Sequence, residues 1–363
     1  MRKPLVAAVA ALVVLGVAAG ALAFTQAPGP LSPHITDVQV NRVAATAVRD
    51  ATTPVTPASA AGAAPTVVTG AVRSVDAYRG FGTWVDAFDY SPPYTGPTVP
   101  VGAASVDAMA ALGVKTLYLQ AGRIDSRSPD LLEDRWLIAE MVLRAHQRGL
   151  RVVGWYLPKW DDGNADMDHL KAIADFSVLG HRFDGIAVDI EYNADKHAPA
   201  ERSRRLVALS TALRAYVGRD VALGAIVMPP VVLEVINKDY WPNFPWRDIA
   251  ALYDVWLPMS YWSNRTTKSG FKDGYAYNEE NTRRLRTDLG LPDALVHAIG
   301  GIGADDGVND PPHPEEPHAV IGDLDGFLRS LRDTKAIGGS IYDWLTTAPG
   351  ARDKLRTLLA SYG

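Results

Sequence analysis

The chain of 363 residues is 47% hydrophobic and 21% charged, carries a formal net charge of -5, and contains no cysteine. That balance has no basic excess to suggest a nucleic-acid partner. The missing thiols exclude disulfides, cysteine nucleophiles and thiolate zinc sites, so any catalysis runs on carboxylates, hydroxyls or imidazoles.

Residues 1–24 begin with Arg2 and Lys3 and continue as an uncharged, apolar run to Phe24. A basic start followed by about twenty apolar residues is the form of a secretory signal or an N-terminal anchor. Ala21-Leu22-Ala23 offers a small-x-small cleavage site, yet the run is also long enough to span a bilayer, so cleaved and uncleaved readings both stand. Either way the chain is expected outside the cytoplasm, touching the membrane only through this segment. Residues 25–75 are rich in Ala, Thr, Pro and Val with little periodicity. Such a segment buries too little apolar surface to offset its ordering entropy and is expected to be a disordered tether.

From residue 76 onward, short β-rich runs alternate with helical stretches, the pattern of βα units closing a parallel sheet. The eight runs are Gly80 to Asp86, Lys115 to Ala121, Arg151 to Leu157, Gly185 to Glu191, Val221 to Met228, Val255 to Tyr261, Leu295 to Gly300 and Gly339 to Leu345. Eight such units predict an α/β fold, a (β/α)8 TIM barrel occupying residues 76–363. Between the runs lie helical patterns after Ser105, from Leu131 to Gly149, and from Pro199 to Gly218, the last two ending on glycines suited to helix termini. Two long loops follow strands five and seven: one carries Tyr240, Trp241, Phe244 and Trp246, the other the acidic stretch Ala304 to His318. Loops after barrel strands lie at the mouth, where long ones are usually functional.

The fourth run, FDGIAVDIEYN from Phe183 to Asn193, carries the chemistry. Strand alternation puts Gly185, Ala187, Asp189 and Glu191 on one face and Ile186, Val188 and Ile190 on the other. The aliphatic set suits packing under helices, and the other set suits the inner wall of a barrel. Carboxylates two residues apart on a strand have Cα atoms roughly 6 to 7 Å apart, close enough to couple their protons. If Asp189 stays ionised, Glu191 gains proton affinity and becomes able to protonate a leaving oxygen near neutral pH. A strand-end acid pair can also serve only to cap helices or to pair with arginines.

FDGIAVDIE resembles the strand-four signature Asp-x-x-Asp-x-Asp-x-Glu of family 18 glycoside hydrolases, the chitinase-like barrels. Asp184, Asp189 and Glu191 fall on the pattern, and Ala187 replaces its second aspartate. WLPMSYW is similar to the family's strand six, giving Met259 and Tyr261, with Trp262 where the family has an acid. GGSIYDW resembles its strand eight, ending in Trp344. The resemblance implies a glycosidase acting on a β-linked, N-acetylated glycan. It implies Glu191 as general acid, Asp189 orienting the substrate's own acetamido nucleophile, and Tyr261 donating a hydrogen bond to it. The loss of an acid at Ala187 implies reduced, altered or absent activity.

Strand-four Asp-x-Glu also occurs in family 25 lysozyme-like barrels, to which RGFGTWVDAFDYS and GLRVVGWYL have some similarity, so a peptidoglycan-cleaving barrel remains open beside a barrel that binds glycan without cutting it.

Trp84, Tyr156, Trp262 and Trp344 fall at or just past predicted strand ends, where ring faces suit sugars, and together with Asp86, Gln120 and Met259 they complete the candidate substrate-binding set. By parity Tyr156, Tyr261 and Trp344 face the cavity while Trp155 packs outward. No cofactor is expected. The loop with Asp305, Asp306, Asp310, Glu315 and Glu316 lacks calcium-loop spacing, and Gly300 to Gly303 lacks the context of a dinucleotide fingerprint. Asn264-Arg265-Thr266 matches a glycosylation acceptor. A monomer with a polysaccharide partner is the expectation.

Overall fold

A computed structural model describes residues 74–160, 164–194, 197–262, 265, 270–271, 273–301, 323–347 and 349–362. The N-terminal segment, nearly all of the tether, the acidic stretch after strand seven and two positions of the glycosylation motif lie outside the described residues. Among the described residues no helix is long and apolar enough to cross a membrane.

All eight expected strands form: β1 Gly80–Val85, β2 Thr116–Gly122, β3 Arg151–Tyr156, β4 Gly185–Ile190, β5 Leu223–Val227, β6 Val255–Pro258, β7 His297–Gly301 and β8 Gly338–Tyr342. They pair in parallel in the order β6-β5-β4-β3-β2-β1-β8-β7. Parallel bridges Trp256 to Val296 and Met259 to Ile299 join β6 to β7 and close the barrel. The long crossover helices are α1 Ala103–Leu112, α2 Arg135–Gln147, α3 Ala165–Asp175, α4 Pro199–Val217, α5 Gly274–Leu289, α6 Leu324–Asp333 and α7 Pro349–Tyr362. Only the short Val232–Ile236 and Trp246–Ile249 turns fill the crossover from β5 to β6.

Helix α2 starts later than its apolar pattern suggests because the Asp134 carboxylate accepts from the Trp136 and Leu137 N–H groups, a side-chain cap that fixes the first turn. Gly149 beyond it adopts φ 75° and Gly218 after α4 adopts φ 61°, left-handed values that only glycine takes without strain.

Rings and gaps fill the barrel interior in alternation. Tyr78, just before β1, plugs the foot, its hydroxyl donating to the carbonyls of Ile186 at 2.8 Å and Ala222 at 3.1 Å. A Cβ on Gly185 would meet that hydroxyl at 2.8 Å, and one on Gly224 would meet the Tyr78 ring at 2.8 Å. Above it Trp84 stacks on Tyr118 at 4.3 Å between ring centroids, and Trp155 meets Trp84 edge-on at 5.9 Å. Small residues on β1, β4 and β5 thus make room for large rings at the axis, as close packing of a fixed barrel volume requires.

Candidate active site

Strand β4 behaves as its alternation demands. Ile186, Val188 and Ile190 are buried on one face, while Gly185 and Ala187 meet inner-wall neighbours on the other. Asp189 continues the inner face at 7% exposure, and Glu191, one residue past the strand, is half-buried at the mouth. The protein clamps the backbone that carries Glu191. Tyr240 donates its hydroxyl to the Glu191 carbonyl at 2.7 Å, and the Trp160 indole N–H donates to the Tyr192 carbonyl at 2.7 Å.

Both carboxyls gain proton affinity, and burial is the first cause for each. Desolvation pushes Glu191 up to about 7. Asp189 is raised well above the carboxylate range, first by desolvation and then by the charge of Glu191. Its Oδ1 is buried with no hydrogen-bond partner among the described residues, which removes the usual means of holding a carboxylate ionised. The expectation that an ionised Asp189 drives Glu191 upward is corrected: the cause at Glu191 is burial instead. Both carboxyls hold their protons more firmly than a free acid, and burial raises the affinity of Glu191 to about 7. Tyr240 also lies within the field of both acids: burial, then Glu191 and Asp189, keep its hydroxyl protonated.

Across the mouth, after β6, Tyr261 is half-buried, its ring centroid 5.9 Å from that of Tyr342 at the end of β8. Tyr342 donates to Asp86 Oδ2 at 2.8 Å, so strands β1, β6 and β8 contribute to one rim. Met259, two residues before Tyr261, is buried. Asp86 also caps the short helix Ala87–Tyr90, and Gln120 is buried with its Oε1 accepting from the Ala87 N–H at 2.9 Å. Both are scaffold beneath the rim. Carboxylate oxygens of Asp86, Asp89 and Asp343 lie within 4.8 Å of one another, the described group nearest to a cation cluster. Protein donors already reach each of them: Phe88 N–H and Tyr342 on Asp86, Asp86 N–H on Asp89, and Thr346 N–H on Asp343.

Several expected sugar platforms point elsewhere. Tyr156 faces the helices, stacking on His169 and donating to Asp166 at 2.7 Å, whereas Trp155 takes the inward position. Trp84 is at 2% exposure with its indole N–H on Ser340 Oγ, a core residue. Trp262 turns outward to stack on Phe327 of α6. Trp344 is at 5% exposure beneath the Arg352 guanidinium, which sits 3.9 Å over its ring. The aromatic loop after β5 is mostly core as well: Trp241, Phe244 and Trp246 continue a buried chain of ring contacts from Trp160 after β3, and Trp241 donates to Ser203 on α4 at 3.0 Å. Asp184, first acid of the strand-four pattern, sits at the foot and is bonded to His146, Arg151 and the Val152 N–H. A cavity of about 660 Å³ beside Arg286 and Lys335 also opens toward the foot, away from the acid pair.

The sequence reading missed Tyr342, and it placed Tyr240 in an aromatic loop at the mouth without its bond to Glu191. Tyr342 shares strand parity with Ser340 and was legible there, whereas the aromatic cluster marks the loop of Tyr240 but not its contact with Glu191, 49 residues earlier.

No protein-family model matches the sequence, and no curated protein matches it. Solved structures share its architecture. A chitinase from Bacteroides thetaiotaomicron superposes with a TM-score of 0.52 at 11% identity, covering 78% of this chain and 96% of that one. The endo-1,4-beta-D-mannanase of Thermotoga petrophila gives 0.56 at 9% identity, covering 78% and 99%. The spore cortex-lytic enzyme SleL of Bacillus cereus gives 0.53 at 10% identity, covering 91% and 85%. Likeness at this depth establishes the shared barrel fold.

Proposed function

We propose that this chain is a glycoside hydrolase cutting a β-linked, N-acetylated glycan with Glu191 as the general acid. One observation carries the reading: a carboxyl at the mouth end of a barrel strand whose proton affinity is raised to about 7, next to a second, deeper acid. A group titrating near the working pH both holds a proton and gives it up readily, which general acid catalysis needs. The barrel shared with a chitinase and a cortex-lytic enzyme lends support at the level of fold.

In the substrate-assisted form of this chemistry, the acetamido oxygen attacks the anomeric carbon as Glu191 protonates the departing oxygen, and water admitted by the resulting Glu191 carboxylate opens the cyclic intermediate. Asp189 hydrogen-bonds the acetamido group and Tyr261 donates to its oxygen. The N-terminal segment exports the chain, which acts as a monomer outside the cytoplasm, tethered or released. A barrel that binds glycan without cleaving it is the second reading, favoured by Ala187 in place of an acid and by the outward turn of Trp262.

The test is reducing-end release from a panel of chitin, peptidoglycan and mannan fragments. Wild type is expected to release ends from at least one N-acetylated glycan, and Glu191→Gln to lose 10³-fold or more, on the order of the contribution of a positioned acid, while binding stays near wild type. Binding without release by wild type supports the second reading.

A further inference from the structure

Arg123 is the first residue past β2, on the mouth side of the barrel. Its guanidinium lies 4.6 Å over the ring of Phe88 and 5.9 Å from that of Tyr94, two half-buried rings that meet edge-on at 5.0 Å. Phe88 belongs to the short helix Ala87–Tyr90, and its N–H is the group that Asp86 caps at 2.8 Å. The platform under Arg123 is therefore continuous with the rim formed by Asp86, Tyr342 and Tyr261.

The acids in the field of this arginine are engaged elsewhere. Asp125 accepts from Arg127 Nε at 3.0 Å, from Arg127 Nη2 at 3.1 Å and from the Arg127 N–H at 3.0 Å, and the Arg127 side chain, first among the causes, brings its proton affinity down to about 2. Arg123 Nε stands 3.8 Å from Asp125 Oδ2, too far for a hydrogen bond. Glu133, at 1% exposure, accepts from Ser91 at 2.8 Å and from Ser128 at 2.7 Å.

Arg123 itself makes no hydrogen bond to a described residue. Its Nε is sealed from solvent without a partner, and the side chain keeps 12% exposure. Packing on Phe88 uses the flat face of the guanidinium and leaves its edge of donors unfilled. Charged donors drawn partly out of water are costly to leave unpaired, and a planar fork of this kind fits the two oxygens of a carboxylate. Only β3 separates β2 from β4, so the chain leaves the barrel at Arg123 and at Glu191 roughly 10 Å apart by the usual strand spacing. A short oligosaccharide with one ring at Glu191 spans that distance.

We propose that Arg123 is a specificity-determining residue that binds a carboxylate carried by the glycan, so that the mouth takes an acidic, N-acetylated polysaccharide in preference to a neutral one. This rests on the reading of the mouth as a glycan site, not on cleavage, since a barrel that only binds would use the same contact. The carboxylate belongs either to a lactyl ether on the sugar or to a uronic acid ring, and both present the same pair of oxygens.

The experiment measures binding by calorimetry to the full chain carrying Glu191→Gln, with three tetrasaccharides: peptide-free alternating N-acetylglucosamine and N-acetylmuramic acid, hyaluronan, and chitotetraose. At least one of the two acidic probes is expected to bind about 10-fold or more tighter than chitotetraose, the scale of a charge-assisted hydrogen bond, and the one that gains identifies the source of the carboxylate. The advantage is expected to shrink as sodium chloride is raised. Adding Arg123→Gln is expected to bring the acidic probe to the affinity of chitotetraose while leaving chitotetraose binding unchanged, and Arg123→Lys, which keeps the charge but not the fork, to retain about 3-fold. An acidic preference that survives Arg123→Gln overturns the proposal, as does loss of chitotetraose binding in both Arg123 variants, which marks a purely structural role. Binding of chitotetraose as tightly as the acidic probes overturns it and leaves the glycan reading standing, whereas failure to bind any of the three overturns both.

Discussion

Asp189 and Glu191 sit two residues apart on one strand, yet their surroundings divide the labour between them. Asp189 is buried with Oδ1 unpaired among the described residues, Glu191 is half-buried at the rim, and burial raises the proton affinity of both. For an acid whose folded proton affinity is raised, the folded state binds more protons than the unfolded one above the unfolded pKa near 4. Its stability contribution is therefore most favourable in acid and declines as pH rises. Asp189→Asn removes that penalty. At pH 8 it is expected to stabilise the fold by about 1–3 kcal/mol, the scale of a buried unpaired polar group, with the gain vanishing near pH 4. Denaturant melts at the two pH values check this, and a destabilised variant at pH 8 contradicts it. Tyr240 acts through the backbone of Glu191, so Tyr240→Phe is expected to lower kcat about 3- to 10-fold, the worth of one hydrogen bond, with KM little changed. Steady-state kinetics decide between this and a purely structural role, which would leave kcat at wild-type level once the protein is folded.

At the scale of elements, Ala187 has a physical reason that the strand alone does not reveal. Its register partner on β3 is Trp155, an inward ring, and the Cβ that a residue other than glycine would place at Gly224 on β5 meets the Ala187 methyl at 3.3 Å. The inward face around Ala187, itself fully buried, is already flanked by a large ring on one strand and close packing on the other. Ala187→Asp is thus expected to destabilise by about 2–4 kcal/mol through overpacking and a buried unpaired acid, measurable by chemical denaturation. A neutral effect would mean the inner wall has room to spare.

The same strand shows why the sequence misled. β3 reads Val152-Val153 and Trp155-Tyr156, apolar doublets that give parity no preferred face, so the Trp155 and Tyr156 directions were exchanged. β4, with aliphatics on one side and glycine, alanine and acids on the other, left no such ambiguity, and its face assignment stands. Trp262 and Trp344 lie beyond the last paired residues of β6 and β8, where alternation no longer governs direction. All eight strands were legible because each is a short β-rich run between helix signals, whereas Tyr240 at the site depends on a long-range return of the chain.

The whole molecule is a closed barrel whose foot is locked by Tyr78 and whose mouth is left to the acids. The Tyr78 hydroxyl bridges the carbonyls of Ile186 and Ala222, and its own carbonyl accepts from His297 Nδ1 at 2.8 Å. Burial holds His297 down to about 4, so it remains the neutral donor across the physiological range. Tyr78→Phe is expected to cost about 1–3 kcal/mol for the bridging carbonyls left short of a donor, seen as a lower denaturation midpoint with unchanged activity, since the foot is remote from Glu191. A loss of activity in the folded variant would contradict the separation of foot and mouth.

On the proposed hydrolase reading, one group governs turnover. The pH dependence of kcat/KM on a cleaved glycan tests it most directly: the rate is expected to fall about tenfold for each unit of pH above about 7, as Glu191 loses its proton. A profile that stays flat from pH 6 to pH 9 on a substrate the wild type cuts would contradict the assignment of Glu191 as the acid.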